Sequence, residues 1–278
     1  MNRTLLQIKV LYKDMGKSEK KIADWIMDHP DALLPLSITE LAEKSDSSEA
    51  TIVRFAKRLG LSGYQELKIS IAQENSKKVI NQDVNVKDSC FEVFEKVSND
   101  IYCSLEMTKK VIDKDMLDQA AKAILEARQI VIFGLGNSAS IALDAGHKFF
   151  RAGCNAVPYS DNHMQVIAAS HLSDTDLAIG ISHSGSSKDI VDALKIAKEN
   201  GAKTIAITNY GKSPIVKHSD IVLFTSSPET QYTILGLNSR IAALAIIDSL
   251  YSYIVCHKDA EALSAIQSVE RSLQSKKY

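Results

Sequence analysis

Several features are scarce in this 278-residue sequence, and each scarcity narrows the class of protein. The four cysteines, Cys90, Cys103, Cys154 and Cys256, form neither a CxxC pair nor a dense disulfide pattern, which predicts reduced thiols in a cytoplasmic protein. The net charge of −1 offers no overall positive excess for nucleic acid, so any DNA-binding surface must be local. No signal peptide is evident, and the apolar run "IAALAII" is too short to span a bilayer, so we expect no membrane partner.

The composition is typical of a protein with a hydrophobic core, with 45% hydrophobic and 24% charged residues. The chain has two regions with different hydrophobic patterns. The first shows helical patterns without strand-like alternation. From Gln129 onward the β-branched runs "QIVIF", "LAIGIS", "KTIAIT" and "DIVLFT" alternate with helical patterns, which predicts a parallel sheet. We therefore expect an all-α helix-turn-helix domain over 1–77, a helical linker over 78–118, a flavodoxin-like, doubly wound, five-stranded α/β domain over 119–261, and a tail over 262–278.

Two short helices joined by a polar turn are predicted in the first domain. Ser37 and Glu40 have capping-box spacing, and Ser48 can cap a second helix that Gly60 ends. Ser62 and Gln65 repeat the capping-box spacing at the start of the next helix. A pair of this size is typical of a helix-turn-helix motif. In the second helix the apolar side chains should form the core, namely Ile52, Phe55 and Leu59.

The polar side of that second helix supplies candidates for DNA contact. The N-terminal part of a recognition helix enters the major groove, while cationic and hydroxyl groups nearby suit phosphate oxygens. Candidates for base edges are Ser47, Ser48, Glu49, Thr51 and Arg54, and candidates for phosphates are Lys57, Arg58, Tyr64 and Lys68. The spacing leaves open a helical packing module with a solvated basic face.

A serine-rich loop, "SHSGSS" at 182–187, separates a charge-free strand pattern from an amphipathic helix. Backbone N–H groups at a helix N-terminus favour an anion, serine hydroxyls add donors, and Gly185 permits close approach of the backbone. A phosphate monoester fits this chemistry. One serine would be explained by helix capping, but four would not.

A second loop, "GLGNSA" at 134–139, has the same strand–turn–helix context. In a sheet of order 2-1-3-4-5, the loops after strands 1 and 3 flank the topological switch point, so both loops should line one crevice. "GLGNSA" also matches the dinucleotide fingerprint GxGxxA, but the acidic residue expected after the next strand is missing. We predict no cofactor, and no metal, since no histidine pair has a spacing such as HExxH.

The stretch "SITELAEKSDSSEATIVRFAKRLGLSGYQELK", residues 37–68, resembles the helix-turn-helix domain of RpiR/MurR-type bacterial transcriptional regulators. "IFGLGNSAS", "GISHSGSSKDIVDAL", "AKTIAITN" and "SDIVLFT" resemble the sugar-isomerase (SIS) domain, a fold that binds phosphorylated sugars. The resemblance implies ligand contacts from Asn137, Ser138, Ser182, Ser184 and Ser187. It also places Glu229 near the glutamate that SIS isomerases use as a base, although a helix-start carboxylate would explain Glu229 as well.

These features together predict a DNA-binding regulator of carbohydrate or amino-sugar metabolism whose DNA affinity is controlled by a bound sugar phosphate. Apolar surface at 91–112 and 237–255 would support a homodimer or homotetramer on a palindromic operator. Two alternatives stay open: an aldose–ketose isomerase with Glu229 as base, and a sugar-phosphate-binding adaptor without DNA contact. An isomerase would not need residues 37–68, so we assign no catalytic residue. The identity of the sugar, the operator and the sign of regulation do not follow from the sequence.

Overall fold

The structure is a computed structural model that describes residues 3–33, 35–75, 86–227, 237–258 and 260–274. The chain separates into two compact units. The first contains residues 1–102, and the second begins at Cys103. Each unit is described by itself below.

The first unit is helical. Its helices are α1 (Arg3–Leu11), α2 (Lys17–Asp28), α3 (Ile38–Lys44), α4 (Glu49–Arg58) and α5 (Tyr64–Asn75). Ile52 and Phe55 are fully buried and Leu59 is 3% exposed, which confirms the predicted core face of α4. They pack with side chains from the other four helices, among them Ile8, Ile22, Ile26, Leu41, Leu67 and Ile71.

Local capping chemistry sets the ends of these helices. The hydroxyl of Ser37 accepts from the N–H of Glu40, whose carboxylate accepts from the N–H of Ser37, so the predicted capping box is confirmed. α4 ends at Arg58, and Gly60 follows with a left-handed φ of +77°. At the start of α5 the prediction was wrong in one residue. The N–H of Ser62 donates to the carboxylate of Glu66 at 2.6 Å, so Glu66 rather than Gln65 reaches back to the start of α5.

The second unit is an α/β fold. Along the chain come α6 (Cys90–Val111), which begins in the first unit, α7 (Lys114–Glu126), β1 (Ile130–Gly134), α8 (Asn137–Arg151), β2 (Ala156–Tyr159), α9 (Asn162–Ser170), β3 (Leu177–Ile181), α10 (Lys188–Glu199), β4 (Lys203–Asn209), α11 (Pro214–Lys217), β5 (Ile221–Thr225), α12 (Leu237–His257) and α13 (Ala260–Gln274). All strand pairs are parallel, and the order β2-β1-β3-β4-β5 confirms the predicted flavodoxin-like sheet.

Helices cover both faces of this sheet. Side chains alternate between the faces, so Ile130 and Ile132 of β1 pack with α7, α8 and α12, whereas Val131 and Phe133 pack with α9 and α10. The predicted boundary between residues 118 and 119 falls inside α7, and the domain limits along the sequence stay predictions.

Helix α12 is longer than the apolar run "IAALAII" that it contains. Over Asn238–His257 its length and composition would suffice to cross a membrane, although core helices of soluble proteins pass the same test. Ala243, Ile246, Ile247 and Leu250 are buried in the core on one face of the sheet. One side of this helix therefore packs against the sheet.

Candidate functional site

The first candidate surface lies at the N-terminal end of α4, after a tight turn from α3. Asp46 adopts a left-handed φ of +46°, and the N–H of Ser47 donates to the carbonyl of Ala42 at 2.9 Å. Asp tolerates this conformation better than most residues, so the sequence "SDSS" suits the turn. Ser48 then caps α4 by accepting from the N–H of Thr51 at 3.2 Å.

Polar groups converge on this end of α4. The hydroxyl of Thr51 lies 2.8 Å from that of Ser48, and the guanidinium of Arg54 donates to the Thr51 hydroxyl at 3.3 Å. Thr51 is only 8% exposed, whereas Ser48 and Arg54 are exposed. Glu49 is half-buried and accepts from the hydroxyl of Thr39 at 2.7 Å. Of the predicted base-edge candidates, Ser48 and Arg54 are thus exposed, and the Thr51 hydroxyl contacts both of their side chains.

The predicted phosphate contacts separate into two groups. Lys57 and Arg58 are exposed on α4, and Arg58 pairs with Glu19 of α2 at 2.5 Å. Ion pairs at the surface stabilise a protein by at most about 1 kcal/mol.

Tyr64 and Lys68 lie elsewhere, in the interior of the first unit. They are 6% and 2% exposed. The Tyr64 hydroxyl and the Lys68 ammonium both donate to the carbonyl of Leu36, at 2.8 and 3.0 Å. In this conformation neither polar group is presented to a phosphate, because both serve to hold the segment before α3 against α5. The prediction that these two residues contact DNA phosphates therefore has no support from the structure.

The second candidate site lies at the carboxyl edge of the sheet. β1 and β3 are neighbours, with Gly134 opposite Ile181, so the loops that follow them leave the sheet side by side. β2 lies on one side of this pair and β4 on the other, which makes the gap between the loops the topological switch point. The structure thus brings together the two loops in which Asn137, Ser138 and the serines after β3 were predicted to bind a ligand.

The loop after β1 depends on glycine. A Cβ added to Gly134 would lie 2.5 Å from the carbonyl oxygen of Ser138, and Gly136 has φ +55° and ψ −127° at the N-cap position of α8. Because Gly136 has no side chain, it leaves the N-terminus of α8 without a side-chain cap. Asn137 is exposed and Ser138 is half-buried in this turn.

The loop after β3 is held in place by backbone bonds. The N–H of Gly185, which has φ +60°, donates to the carbonyl of Ser182. The carbonyls of His183 and Gly185 accept from the N–H groups of Asn209 and Ile215, both at 3.0 Å. The loop is therefore anchored on both sides, and its hydroxyl groups are presented by a defined backbone.

The hydroxyl groups of this loop are not used as ordinary caps. Ser187 is the N-cap residue of α10 but its side chain makes no capping hydrogen bond. Its oxygen instead accepts from the hydroxyl of Ser182 at 3.1 Å. Ser182 is 2% exposed, and Ser184, Ser186 and Ser187 are half-buried. The N-cap side chains of α3, α4, α7 and α9 accept a hydrogen bond from a backbone N–H of their own helix. The N-terminus of α10 lacks such a bond.

Asp189 and Lys188, of opposite charge, both lie in the first turn of α10. The helix dipole there favours the carboxylate and disfavours the ammonium of Lys188. Its ammonium donates to Asp192 at 2.6 Å, and this hydrogen bond raises the pKa of Lys188. The stretches 134–140 and 182–187 contain no Asp or Glu. Together the two loops can accept a dianion through N–H and hydroxyl donors.

One residue that supports the site was not singled out from the sequence. Gln165 of α9 is fully buried, and its amide nitrogen donates to the carbonyls of Gly134 and Tyr159, at 3.2 and 2.9 Å. It therefore ties the ends of β1 and β2 together beneath the glycine loop. Only the apolar pattern around Gln165 in "NHMQVIAAS" hinted at burial. Glu229, the remaining predicted ligand residue, lies outside the described residues.

Two family models match the chain. One is described as the helix-turn-helix domain of the rpiR family and matches residues 2–78, and the other is the SIS domain and matches residues 123–253. Among curated proteins, an HTH-type transcriptional regulator of Caldanaerobacter subterraneus is 37% identical over 279 residues, covering 100% of this chain and 99% of the relative. HexR of Pseudomonas aeruginosa is 33% identical over 280 residues, covering 100% and 98%. RpiR of Escherichia coli K12 is 30% identical over 246 residues, covering 88% and 83%.

Solved structures show the same fold. NanR of Vibrio vulnificus, complexed with ManNAc-6P, is 24% identical and superposes with a TM-score of 0.83, covering 99% of this chain and 100% of NanR. The sugar isomerase domain of an RpiR transcription factor from Sphaerobacter thermophilus is 24% identical with a TM-score of 0.58, covering 65% of this chain and 99% of that domain. NanR agrees with a helical N-terminal region followed by the SIS sheet, and the Sphaerobacter domain agrees with the SIS sheet alone.

Proposed function

Since the chain belongs to the RpiR family of helix-turn-helix transcriptional regulators and carries a C-terminal SIS domain, we propose that a phosphorylated sugar in the SIS domain controls its affinity for operator DNA. The regulated genes would serve carbohydrate or amino-sugar metabolism. The observation that carries the proposal is the pair of helices, α8 and α10, that begin at the switch point of the sheet without a side-chain cap. The N-cap residue of α8 is glycine, and the hydroxyl of Ser187 does not bond α10.

The phosphate group would lie between these two loops. Backbone N–H groups at the first turns of α8 and α10 favour a dianion through the helix dipoles. The hydroxyls of Ser184 and Ser187 supply hydrogen bonds, and Ser182 orients Ser187 from beneath. Asn137 and Ser138 would bond the phosphate or the sugar from the loop after β1. Glu229 would reach the sugar from the segment after β5.

The first unit would bind double-stranded DNA with the N-terminal end of α4 in the major groove. We assign base contacts to Ser48 and Arg54 and phosphate contacts to Lys57 and Arg58, all of which are exposed. Ser47, Glu49 and Thr51 would shape this end of the helix. Tyr64 and Lys68 do not belong to the proposed interface, because their polar atoms are bonded to the carbonyl of Leu36.

Self-association would pair two such units on a palindromic operator. Three large apolar side chains of α6 face solvent: Phe91 is 67% exposed, Phe94 is 65% and Val97 is 40%. They lie on one face of the helix, at spacings of three residues. We therefore propose that α6 contributes to a homodimer or homotetramer in the cytoplasm.

Regulation rather than catalysis is the role that we assign to the bound sugar. The relatives are transcriptional regulators, and the helix-turn-helix unit has no part in an isomerase reaction. An aldose–ketose isomerase needs a base beside C1 and C2 of the open-chain sugar, and Glu229 is the candidate by resemblance. Incubation with aldose phosphates should therefore give no ketose phosphate. Turnover that is lost in Glu229→Gln would favour the enzyme instead.

Thermal unfolding with a panel of ligands tests the proposal. Glucose 6-phosphate, ribose 5-phosphate and N-acetylmannosamine 6-phosphate would each be compared with the unphosphorylated sugar and with inorganic phosphate. A ligand at 100 times its Kd stabilises the folded chain by about 2.7 kcal/mol. We expect a shift that requires both sugar and phosphate, and a change in DNA affinity with the same compound. A phosphorylated sugar that binds but leaves DNA affinity unchanged would contradict the proposal.

A further inference from the structure

The residue that follows β5, Ser226, is bonded to α6 through both of its backbone polar groups. Its N–H donates to the hydroxyl oxygen of Thr108 at 3.0 Å. Its carbonyl accepts from the hydroxyls of Ser104 and Thr108, at 3.2 and 3.3 Å. Ser104 and Thr108 lie one turn apart on α6 and are 0% and 6% exposed. They are the only buried side chains on the described part of this helix.

The neighbouring residues of the same segment are bonded to β4. The N–H of Ser227 donates to the side-chain oxygen of Asn209 at 3.2 Å, and the hydroxyl of Thr225 donates to the carbonyl of Thr208 at 3.3 Å. The carbonyl of Thr225 accepts from the N–H of Tyr210 at 2.7 Å. Residues 225–227 are thus held between the carboxyl end of β4 and α6. Asn209 also donates its N–H to the carbonyl of His183, inside the serine loop.

These bonds form a continuous path from the crevice to α6. It runs from the serine loop through Asn209 and Ser227 to Ser226, and from there to Ser104 and Thr108. A buried hydroxyl in the middle of a helix is unfavourable unless it is hydrogen bonded, and threonine has low helix propensity. The bonds to Ser226 give both hydroxyls a partner and so account for their presence in α6.

We propose that Ser104 and Thr108 are positioning residues that couple ligand binding at the carboxyl edge of the sheet to α6. The proposal rests on the function proposed above. A ligand bound at the serine loop contacts the first part of this path, so it favours one position of residues 225–227 over others. Only such a difference in affinity between two arrangements can shift their populations.

Helix α6 is suited to pass this shift along the chain. It is one helix of 22 residues from Cys90 to Val111, with a length of about 33 Å. The boundary between the two units falls within it, after Tyr102. Because α6 is one continuous helix, a displacement at Ser104 and Thr108 also displaces its N-terminal end. That end is joined in sequence to the DNA-binding helices.

The coupling factor is the measurement that tests this role. It is the ratio of the DNA Kd of the full chain with and without saturating ligand, and allosteric proteins show ratios of about 5 to 150. The probe ligands are the three sugar phosphates named above, and the DNA is a duplex selected from a random library by the full chain. In Thr108→Val we expect the coupling factor to become about fivefold smaller, with a value of one as its limit. A fivefold change corresponds to the net free energy of one hydrogen bond, about 1 kcal/mol. Ser104→Ala, which removes one of two donors, should lower it less.

Two further variants separate coupling from stability. Thr108→Ser keeps the hydroxyl and should retain most of the wild-type factor. Thr204→Val makes the same change at the opposite edge of the sheet, where a fully buried hydroxyl donates to Asp220 at 2.8 Å. Thr204→Val should lower the midpoint of unfolding but leave the coupling factor unchanged. The Kd for the sugar phosphate, measured without DNA, should change less than the coupling factor in Thr108→Val.

The outcomes distinguish this proposal from the function on which it rests. If no sugar phosphate alters DNA affinity of the wild-type chain, the proposed function fails and the coupling role fails with it. If the wild-type chain responds and Thr108→Val responds to the same extent, the function stands and the coupling role is overturned. A factor lowered equally by Thr204→Val would also overturn it, since general destabilisation would then explain the loss.

Discussion

Replacement of Ser187 by alanine distinguishes a ligand-binding serine from a helix cap. A serine that caps a helix contributes about 0.5–2 kcal/mol to stability. Ser187 occupies the N-cap position of α10 but makes no capping bond, and its oxygen accepts only a neutral hydrogen bond from Ser182. We therefore expect Ser187→Ala to cost the ligand-free chain less than about 0.5 kcal/mol, a shift in the midpoint of thermal unfolding of about 1–2 °C.

The effect on ligand binding should be larger. A hydrogen bond to a charged group contributes about 1.5–3 kcal/mol, which corresponds to a rise in Kd of about 10- to 150-fold. At a ligand concentration that is 100 times the wild-type Kd, stabilisation should fall from about 2.7 kcal/mol to about 1.4 kcal/mol or less. The assay is thermal unfolding of the wild-type chain and the variant, each with and without the sugar phosphate.

A matched control is available in the same unit. Asp113 is the N-cap residue of α7, and its carboxylate accepts from the N–H of Met116 at 3.0 Å. Asp113→Ala should lower the stability of the ligand-free chain by about 1 kcal/mol and leave the ligand Kd unchanged. The reasoning would be refuted if Ser187→Ala behaved like this control, with a clear loss of stability and unaltered binding.

Three further perturbations test other parts of the structure. Lys57→Ala should weaken DNA binding and reduce the slope of log K against log salt by about 0.9, whereas Lys68→Met should leave that slope unchanged because its ammonium is buried on a backbone carbonyl. The carboxyl group of Asp176 has a lowered pKa: burial opposes ionisation, but hydrogen bonds from Ser173 and Arg128 outweigh it. A lowered folded pKa stabilises the protein above the unfolded pKa of about 3.9, and this contribution is lost as pH falls through the folded value. Asp176→Asn should therefore flatten the fall of the urea midpoint with decreasing pH below about 3.9, and an unchanged fall in that range would contradict the assignment. The side chain of Phe94 on α6 is 65% exposed. Phe94→Ser should therefore lower self-association, measured by sedimentation, without lowering the midpoint of unfolding of the monomer.

Local patterns along the chain were enough to predict much of the fold. The capping box of Ser37 and Glu40, the core positions Ile52 and Phe55, and the four strand runs after Gln129 depend on residues close together in sequence. These predictions succeeded because their physical causes act over one or two turns of chain. The strand order was instead taken from the flavodoxin-like fold, and the structure has that order.

The roles of individual polar side chains were harder to predict. Lys68 looks like an exposed cation in the sequence, yet its ammonium bonds a carbonyl 32 residues away. Gln165, Ser104 and Thr108 look like ordinary polar residues of helices, yet all three are buried and hold the ends of strands or loops. Helix periodicity gives only the side of the helix on which a residue lies. It does not say which backbone groups approach that side.

The amino-acid sequence by itself therefore determined the two-part architecture, the parallel sheet and the serine- and glycine-rich loops at its switch point, because turn chemistry and hydrophobic period are local properties. Only the tertiary structure decided which serine hydroxyls cap a helix and which do not, and which lysines and arginines remain exposed. Those choices depend on hydrogen bonds between groups far apart in sequence, such as Ser226 with Thr108 and Leu36 with Lys68, and such partners meet only when the core has formed.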